Sequence, residues 1–549
     1  MNEFAKTGIA LGAAAALTVL AISMKPGEVR LDLFDDQGQV FFPEFTDGDV
    51  INELEVTAFR ESSSDIYAFA VKRDDKGVWR IPSHGNYPAD AKDQMGKAAA
   101  MLIGLKKDAV VGDTKGDHAQ FGLIDPLAEG VETEGRGKRI KLKDKAGNVL
   151  ADLIVGKEVE GKASMFYCRL PDKKRIYKTK LEGSLSTQFA DWIETDLLQA
   201  KAWNIDKIVF DNYSVDEQKG QIVRGDKLVL AKGEDNKFAL AGLDEAKEET
   251  NVEKATEIGN TLGQIKIVGV RPKPEGLTAR LERANGFEAQ ILRQQLQAKG
   301  YFLAGGKLVS NEGDLIFETK SGVRYTLRFG ELVYGEGDEV TAGIGAQEAK
   351  EGEEKPAANN RYLMVTAEFV ADLIEQPAGP RLEQAELDKR RLARSTIEAM
   401  VKAIDAFQAA NERLPENFEE LVAPREEGEP FLKSVGPDPW GNEFQYKKEG
   451  ETYVVLSYAK DGAAGGSAEG KDVSSAALAF EDTLDTAASE WQTYDGKVEA
   501  GQEEADKLTR RFGPWYYVID KELFDKLKPK RADLVKPKAE EGENADPGK

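Results

Sequence analysis

Residues 438–473 read DPWGNEFQYKKEGETYVVLSYAKDGAAGGSAEGKDV, and this stretch decides how the rest of the chain is parsed. Pro439 fixes a turn, Gly441 permits its reversal, and Trp440 is a large apolar plug suited to the core of a small domain. Two strand-like runs follow, Phe444 to Lys447 and Thr452 to Tyr458, separated by a turn. The segment then closes with Asp461 and Asp472 flanking Gly462, Gly465, Gly466 and Gly470. Calcium takes about six to eight oxygen ligands, and a glycine-rich loop lets several main-chain carbonyls converge without side-chain clashes. An oxygen-rich loop bounded by two carboxylates is therefore a candidate calcium site, the alternative being a metal-free Asp-Gly turn.

Upstream, Arg381 opens a long helical pattern with Ala393, Ile397, Met400, Ile404 and Phe407 on one stripe, ending near Asn411. Arg413-Leu414-Pro415 and the short helix Phe418-Glu419-Glu420-Leu421 lie between this helix and the turn. Taken in order, the helix, the Leu-Pro turn, Asp-Pro-Trp-Gly, the paired strands and the Asp-Gly loop resemble the globular domain of the major pseudopilins of type II secretion, over Thr396 to Val473. The resemblance implies that Asp461 and Asp472 hold calcium, with the main-chain oxygen of Tyr458 and Ser467 as further ligands. One feature departs from the family. Pseudopilins polymerise through an apolar N-terminal helix, whereas here that helix begins Arg381-Leu382-Glu383-Gln384 and is charged, so assembly into a pseudopilus is not inferred.

Around this module the chain carries a diverged repeat. A strand at Ile66 to Val71, a turn, Val78 to Ile81 and a helix with Ala91, Met95, Ala98, Leu102 and Leu105 aligned form the first copy. The second has Lys227 to Lys232, Phe238 to Leu240 and a helix aligning Val252, Ala255, Gly259, Leu262 and Ile265. Hairpins follow both helices, Arg139 to Gly156 and Leu315 to Gly330. Phe189-Ala190-Asp191-Trp192 is read as matching Phe512-Gly513-Pro514-Trp515, which comes so late that the pseudopilin-like module must be an insertion.

Trp79, Phe121-Gly122-Leu123-Ile124-Asp125-Pro126, Arg361 to Thr366, Trp515 to Ile519 and Arg531 to Val535 together resemble the family termed domain of unknown function 4340. That resemblance implies a membrane anchor, repeated α/β units and an envelope partner among ABC transporter components. Thr7 to Met24 is the one uncharged run, of a length near the lower limit for a membrane helix, with a cleaved signal peptide as its alternative. The expected fold class is α+β: an N-terminal membrane helix, two repeated α/β units with antiparallel sheets, and an inserted α+β module of long helix plus small antiparallel sheet. The expected divisions are an anchor at 1–28, the first unit at 29–200, the second at 201–380, the insert at 381–480, a closing segment at 481–535 and a disordered tail at 536–549. Glu336 to Asn360 reads as a solvated linker.

The net charge of −23 argues against nucleic acid, because phosphate binding needs clustered Lys and Arg. The basic run Arg136 to Lys145 reads as a solvated strand face. Cys168 stands alone and allows no intrachain disulfide, while His84 and His118 are expected to be exposed loop residues rather than catalytic ones. No phosphate loop, dinucleotide motif or nucleophile elbow occurs. The reading is a non-catalytic scaffold in the bacterial inner membrane, facing the periplasm and possessing a calcium-stabilised module. A secretion-associated protein and an envelope hydrolase are its alternatives.

Overall fold

The computed structural model describes residues 36–538 apart from 61–64, 131–132, 217–218, 220, 275–276, 278–285, 305–306, 336 and 344–359, together with residues 12, 14, 15 and 18. The expected membrane segment 7–24 thus lies outside the described residues, save those four helical positions. No helix among the described residues is long and apolar enough to cross a membrane.

Alternating burial drives the first sheet. Leu54 and Val56 on strand β1 (Glu53–Arg60) oppose Val71 and Phe69 on β2 (Asp65–Arg73), and all four are fully buried, so one face of the hairpin seeks a core. Next come β3 (Trp79–Ile81), β4 (Tyr87–Pro88), helix α1 (Lys92–Leu102), β5 (Ala109–Gly112), β6 (Lys138–Lys143), β7 (Val149–Glu158), β8 (Met165–Arg169) and β9 (Ile176–Lys180). The sheet runs β4-β3-β2-β1-β6-β7-β8-β9-β5. Ala91, Met95, Ala98, Leu102 and Leu105, the expected stripe, are all buried.

A second large sheet is built from β10 (Ile205–Asp216), β11 (Gln221–Lys232) and β12 (Phe238–Leu240), and then, after the short β13 (Glu248–Thr250) and helix α2 (Val252–Leu262), β14 (Gly269–Pro272). Helix α3 (Gly286–Gln297) and the hairpin β15 (Tyr301–Ala304) and β16 (Lys307–Ser310) intervene before β17 (Asp314–Thr319), β18 (Val323–Val333) and β19 (Asn360–Phe369). Helices α4 (Gln384–Asn411) and α5 (Leu478–Phe512) bracket the small sheet β20 (Gln445–Glu449), β21 (Thr452–Ser457) and β22 (Val473–Ser474). The chain returns as β23 (Trp515–Asp520), helix α6 (Lys521–Lys526) and β24 (Val535–Pro537).

The second sheet runs β12-β11-β10-β17-β18-β19-β23-β14. Without its edge strand β4, the first sheet has the same order position for position, with β5 and β14 as the strands after each helix and β9 and β23 beside them. This correspondence corrects the expected closing match. Trp515 starts β23, the counterpart of β9, so Phe512-Gly513-Pro514-Trp515 is not the partner of Phe189-Ala190-Asp191-Trp192. Its counterpart is Arg531-Ala532-Asp533-Leu534: the Trp192 carbonyl accepts from Asp90 N at 2.7 Å just before α1, and the Leu534 carbonyl accepts from Asn251 N at 2.8 Å just before α2.

Two further expectations change. Within the anticipated linker, Asp338–Thr341 forms a helical turn and Val340 is buried; residues 344–359 lie outside the described set. Lys536 and Pro537, assigned to the tail, pair with Glu249 and Glu248 as β24 against β13, while 539–549 lie outside the described residues.

One continuous apolar core runs through both large sheets, from Phe41 to Leu534. The inserted segment has its own, in which Ala393, Ile397, Met400, Ile404 and Phe407 meet Leu414, Leu421, Phe444, Val455 and Val473. Helix α5 serves both. Glu481 pairs with Arg390 on α4, whereas Gly501, Ala505, Leu508 and Phe512 pack on the second sheet. At Gly501 a side chain would meet the Ser321 carbonyl at 2.2 Å, which is why the helix can approach so closely there.

Candidate functional site

The Asp438-Pro439-Trp440-Gly441-Asn442 turn is locked by its own aspartate. Asp438 Oδ1 accepts from the amides of Trp440 at 3.0 Å and Asn442 at 2.8 Å, while its other oxygen takes the Ser457 hydroxyl from β21. Gly441 adopts φ +96, a conformation that favours glycine. Trp440 is half-buried against the insert's core and its indole N–H donates to Glu386 Oε2 on α4 at 3.2 Å, so the plug is also a polar tie.

From this turn Asn442 reaches across to donate to the Ala459 carbonyl at 2.9 Å, holding the start of the glycine loop. Asp461 caps the loop locally by accepting from Ala463 N at 3.1 Å. Its other oxygen faces Gly470 and Gly466, lying 2.6 Å and 2.8 Å from where their Cβ atoms would stand. Asp472, from the far end, accepts from Gly465 N at 3.0 Å through Oδ2 and donates its own amide to the Gly465 carbonyl at 3.1 Å. Both carboxylates therefore address the Gly465–Gly470 segment.

Asp472 Oδ1 is buried without a hydrogen-bond partner. An orphaned carboxylate oxygen at such depth is costly unless something positive meets it, and a hard cation is the natural complement. Among the described residues no group of three His, Cys, Asp or Glu side chains could hold a metal, so an ion here would depend on main-chain and hydroxyl oxygens besides the two carboxylates. Ser467 is exposed, and its carbonyl already accepts from Gly470 N at 3.0 Å. Tyr458 sits at the turn entering the loop, its ring 5.5 Å from Lys447 Nζ. The oxygen set fits calcium in chemistry.

Sequence reasoning missed the charged seam beneath the loop. Arg390 on α4 forms a bidentate pair with Glu481 on α5, 2.9 Å and 2.6 Å, with both side chains buried, and also donates to the Glu469 carbonyl at 3.3 Å. Arg391–Asp485 at 2.8 Å and Arg394–Asp482 at 2.6 Å extend it outward. The partners stand far apart in sequence, so no local pattern announces them. Asn442, by contrast, was within the quoted motif.

The histidines are not exposed, contrary to expectation. His84 is 2% exposed, stacked on Phe189 at 4.2 Å, with Ser83 Oγ 2.9 Å from Nδ1 and Thr341 Oγ1 of the second unit 3.1 Å from Nε2. Burial, with Arg271 nearby, pulls its pKa from 6.5 down to about 4. His118 is also buried, its pKa lowered chiefly by desolvation, and its Nε2 is 2.9 Å from the Lys174 carbonyl. Cys168 is buried and its thiol is pushed well up by desolvation. The basic run on β6 is neutralised across strands, Arg139 by Asp152 and Asp125 and Lys143 by Glu53 and Glu55.

Residues 79–280 match the family described as Domain of unknown function (DUF4340), and residues 381–476 match Type II secretion system (T2SS), protein G. The type II secretion system core protein G of Xanthomonas campestris pv. campestris is 31% identical over 96 residues, spanning 16% of this chain and 67% of that protein.

Proposed function

Because this chain belongs to the type II secretion system protein G family through residues 381–476, we propose that it is a non-catalytic envelope protein presenting a pseudopilin-like head to secretion-system proteins. The observation that carries this reading is the charged seam. With Arg390, Arg391 and Arg394 committed to Glu481, Asp485 and Asp482, the long helix is fastened to the host instead of being free to enter a filament core. The uncharged run 7–24 supports a tether in the inner membrane with the bulk in the periplasm. The ABC transporter partner rests on the host family's resemblance alone.

Pull-down of the full chain from detergent-solubilised membranes is expected to recover secretion-system components. Their absence, or a full-length product confined to the cytosolic fraction, would retire the reading.

Calcium belongs to the same proposal, held by Asp461, Asp472, Ser467 and the main-chain oxygen of Tyr458. When bound, the ion would neutralise the two carboxylates and tie the ends of the loop. Preferential binding to the folded state at a hundredfold excess over Kd stabilises by about 2.7 kcal/mol, so calcium should raise the melting temperature of the full chain and leave Asp461→Ala unmoved. No rise in the wild type, or the same rise in the variant, defeats the calcium assignment.

A further inference from the structure

Beside the second sheet a cavity of about 850 Å³ opens between the segment following β14, strand β19 and the last turn of α5. Leu277, Leu308, Met364 and Phe512 make its walls predominantly apolar, and the volume falls within the roughly 300–1,000 Å³ typical of small-molecule sites. Among the described residues its charged lining residues are Lys273 and Arg510, with no carboxylate beside them, in a chain with 98 acidic and 75 basic residues. Among the described residues the Lys273 ammonium has no acidic partner. It donates to the Phe512 carbonyl at 3.3 Å and lies 5.5 Å from the Tyr516 ring, which Lys299 approaches at 5.6 Å from its own position.

Desolvation, with Arg328 nearby, brings Lys273 from 10.5 down to about 7. A withdrawn, unpaired ammonium is costly, and an anion is what restores its charged state. Perturbed groups of this kind gather where ligands bind. We propose that this cavity binds a single-chain amphipathic carboxylate, its apolar tail along Leu277, Leu308 and Met364 and its head on Lys273 Nζ with Arg510 at the rim. Neither matched family's region accounts for the whole site, since Leu308, Met364 and Arg510 fall outside both.

Calorimetric titration of the full chain with dodecanoate tests it, with dodecylamine and acetate as controls. Dodecanoate should bind one molecule per chain while dodecylamine and acetate do not. Lys273→Met, which keeps the apolar stem, should weaken dodecanoate by about tenfold or more through loss of a charge-assisted contact. Thr366→Phe, at an exposed wall residue, should block the cavity without disturbing the core. Dodecylamine binding as tightly as dodecanoate, or unchanged affinity in a folded Lys273→Met, overturns the proposal. If that variant fails to fold, Thr366→Phe decides alone, and undiminished dodecanoate binding overturns it.

Discussion

Between β8 and β9 the first sheet needs only residues 170–175, whereas between the corresponding β19 and β23 the second accommodates residues 370–514. In the first, Arg169 holds the short connection by donating to the carbonyls of Leu123 at 2.7 Å and Pro171 at 2.8 Å. In the second, the register of β19 is fixed by β18 on one side and β23 on the other, so the hairpin end is free to open without disturbing the ladder. Loop-closure cost grows slowly with length, and a guest with its own core offsets the ordering of its own residues. The entering and leaving segments are nevertheless clasped. Trp491 Nε1 donates to the Gly379 carbonyl at 2.9 Å, and Arg381 lies 4.9 Å from the Trp491 ring while pairing with Asp495. The guest is a braced insertion, not a pendant one.

The brace is most sharply tested at Arg390. Arg390→Met leaves Glu481, 5% exposed, without its partner, and breaking a buried pair from one side costs about 3–5 kcal/mol. Thermal unfolding should show the guest transition falling while the host transition stays. Adding Glu481→Leu should recover most of the loss, because an apolar replacement of the whole pair is close to neutral. A single variant with unchanged melting would mean that the buried Arg390–Glu481 pair does not brace the guest.

What the sequence disclosed follows the same division. The guest was legible because its signals are local: the helical stripe Ala393 to Phe407 is buried as its spacing requires, and the Asp-Pro-Trp-Gly turn closes on itself through Asp438. In the host, the helix stripes and hairpins were legible for the same reason. The closing match was misread because Phe-x-x-Trp is a composition echo, whereas the true equivalence of Trp192 and Leu534 is carried by main-chain carbonyls, which leave no mark on residue identity. The burial of His84 was invisible for another reason. Its stacking on Phe189 joins residues far apart within the first unit, and its contact with Thr341 crosses to the second, in a stretch whose composition reads as solvated.

That histidine gives the second test, since it stands at the seam between the two copies, where Gly85 packs on Pro272 and Tyr87 meets Trp515 at 4.9 Å. A folded-state pKa of about 4 against 6.5 means the group is held neutral by folding. Its contribution is present above 6.5 and is lost as the pH falls from about 6.5 through about 4, amounting to about 3 kcal/mol. Chemical denaturation of the full chain across that window should show the loss, and His84→Gln should flatten it. An identical pH profile in the variant would assign acid sensitivity to carboxylates elsewhere and leave the two copies uncoupled through this residue.

The smallest effect concerns how the two copies start their helices. At α2, Asn251 is the N-cap and its side chain accepts from Lys254 N at 3.4 Å, while its Nδ2 donates to the Asp533 carbonyl at 3.0 Å. At α1, the N-cap Ala91 supplies no side-chain bond, and the corresponding Asp191 carbonyl is reached instead by Gln94 Nε2 at 3.3 Å. Loss of a side-chain cap costs about 1 kcal/mol, so Asn251→Ala should destabilise the second copy by about that amount, with the Asp533 contact adding a little. Gln94→Ala should cost less, because no cap goes with it. Equal losses from the two variants, measured by denaturant midpoint at constant slope, would show that the carbonyl contact and not the cap is what each copy depends on.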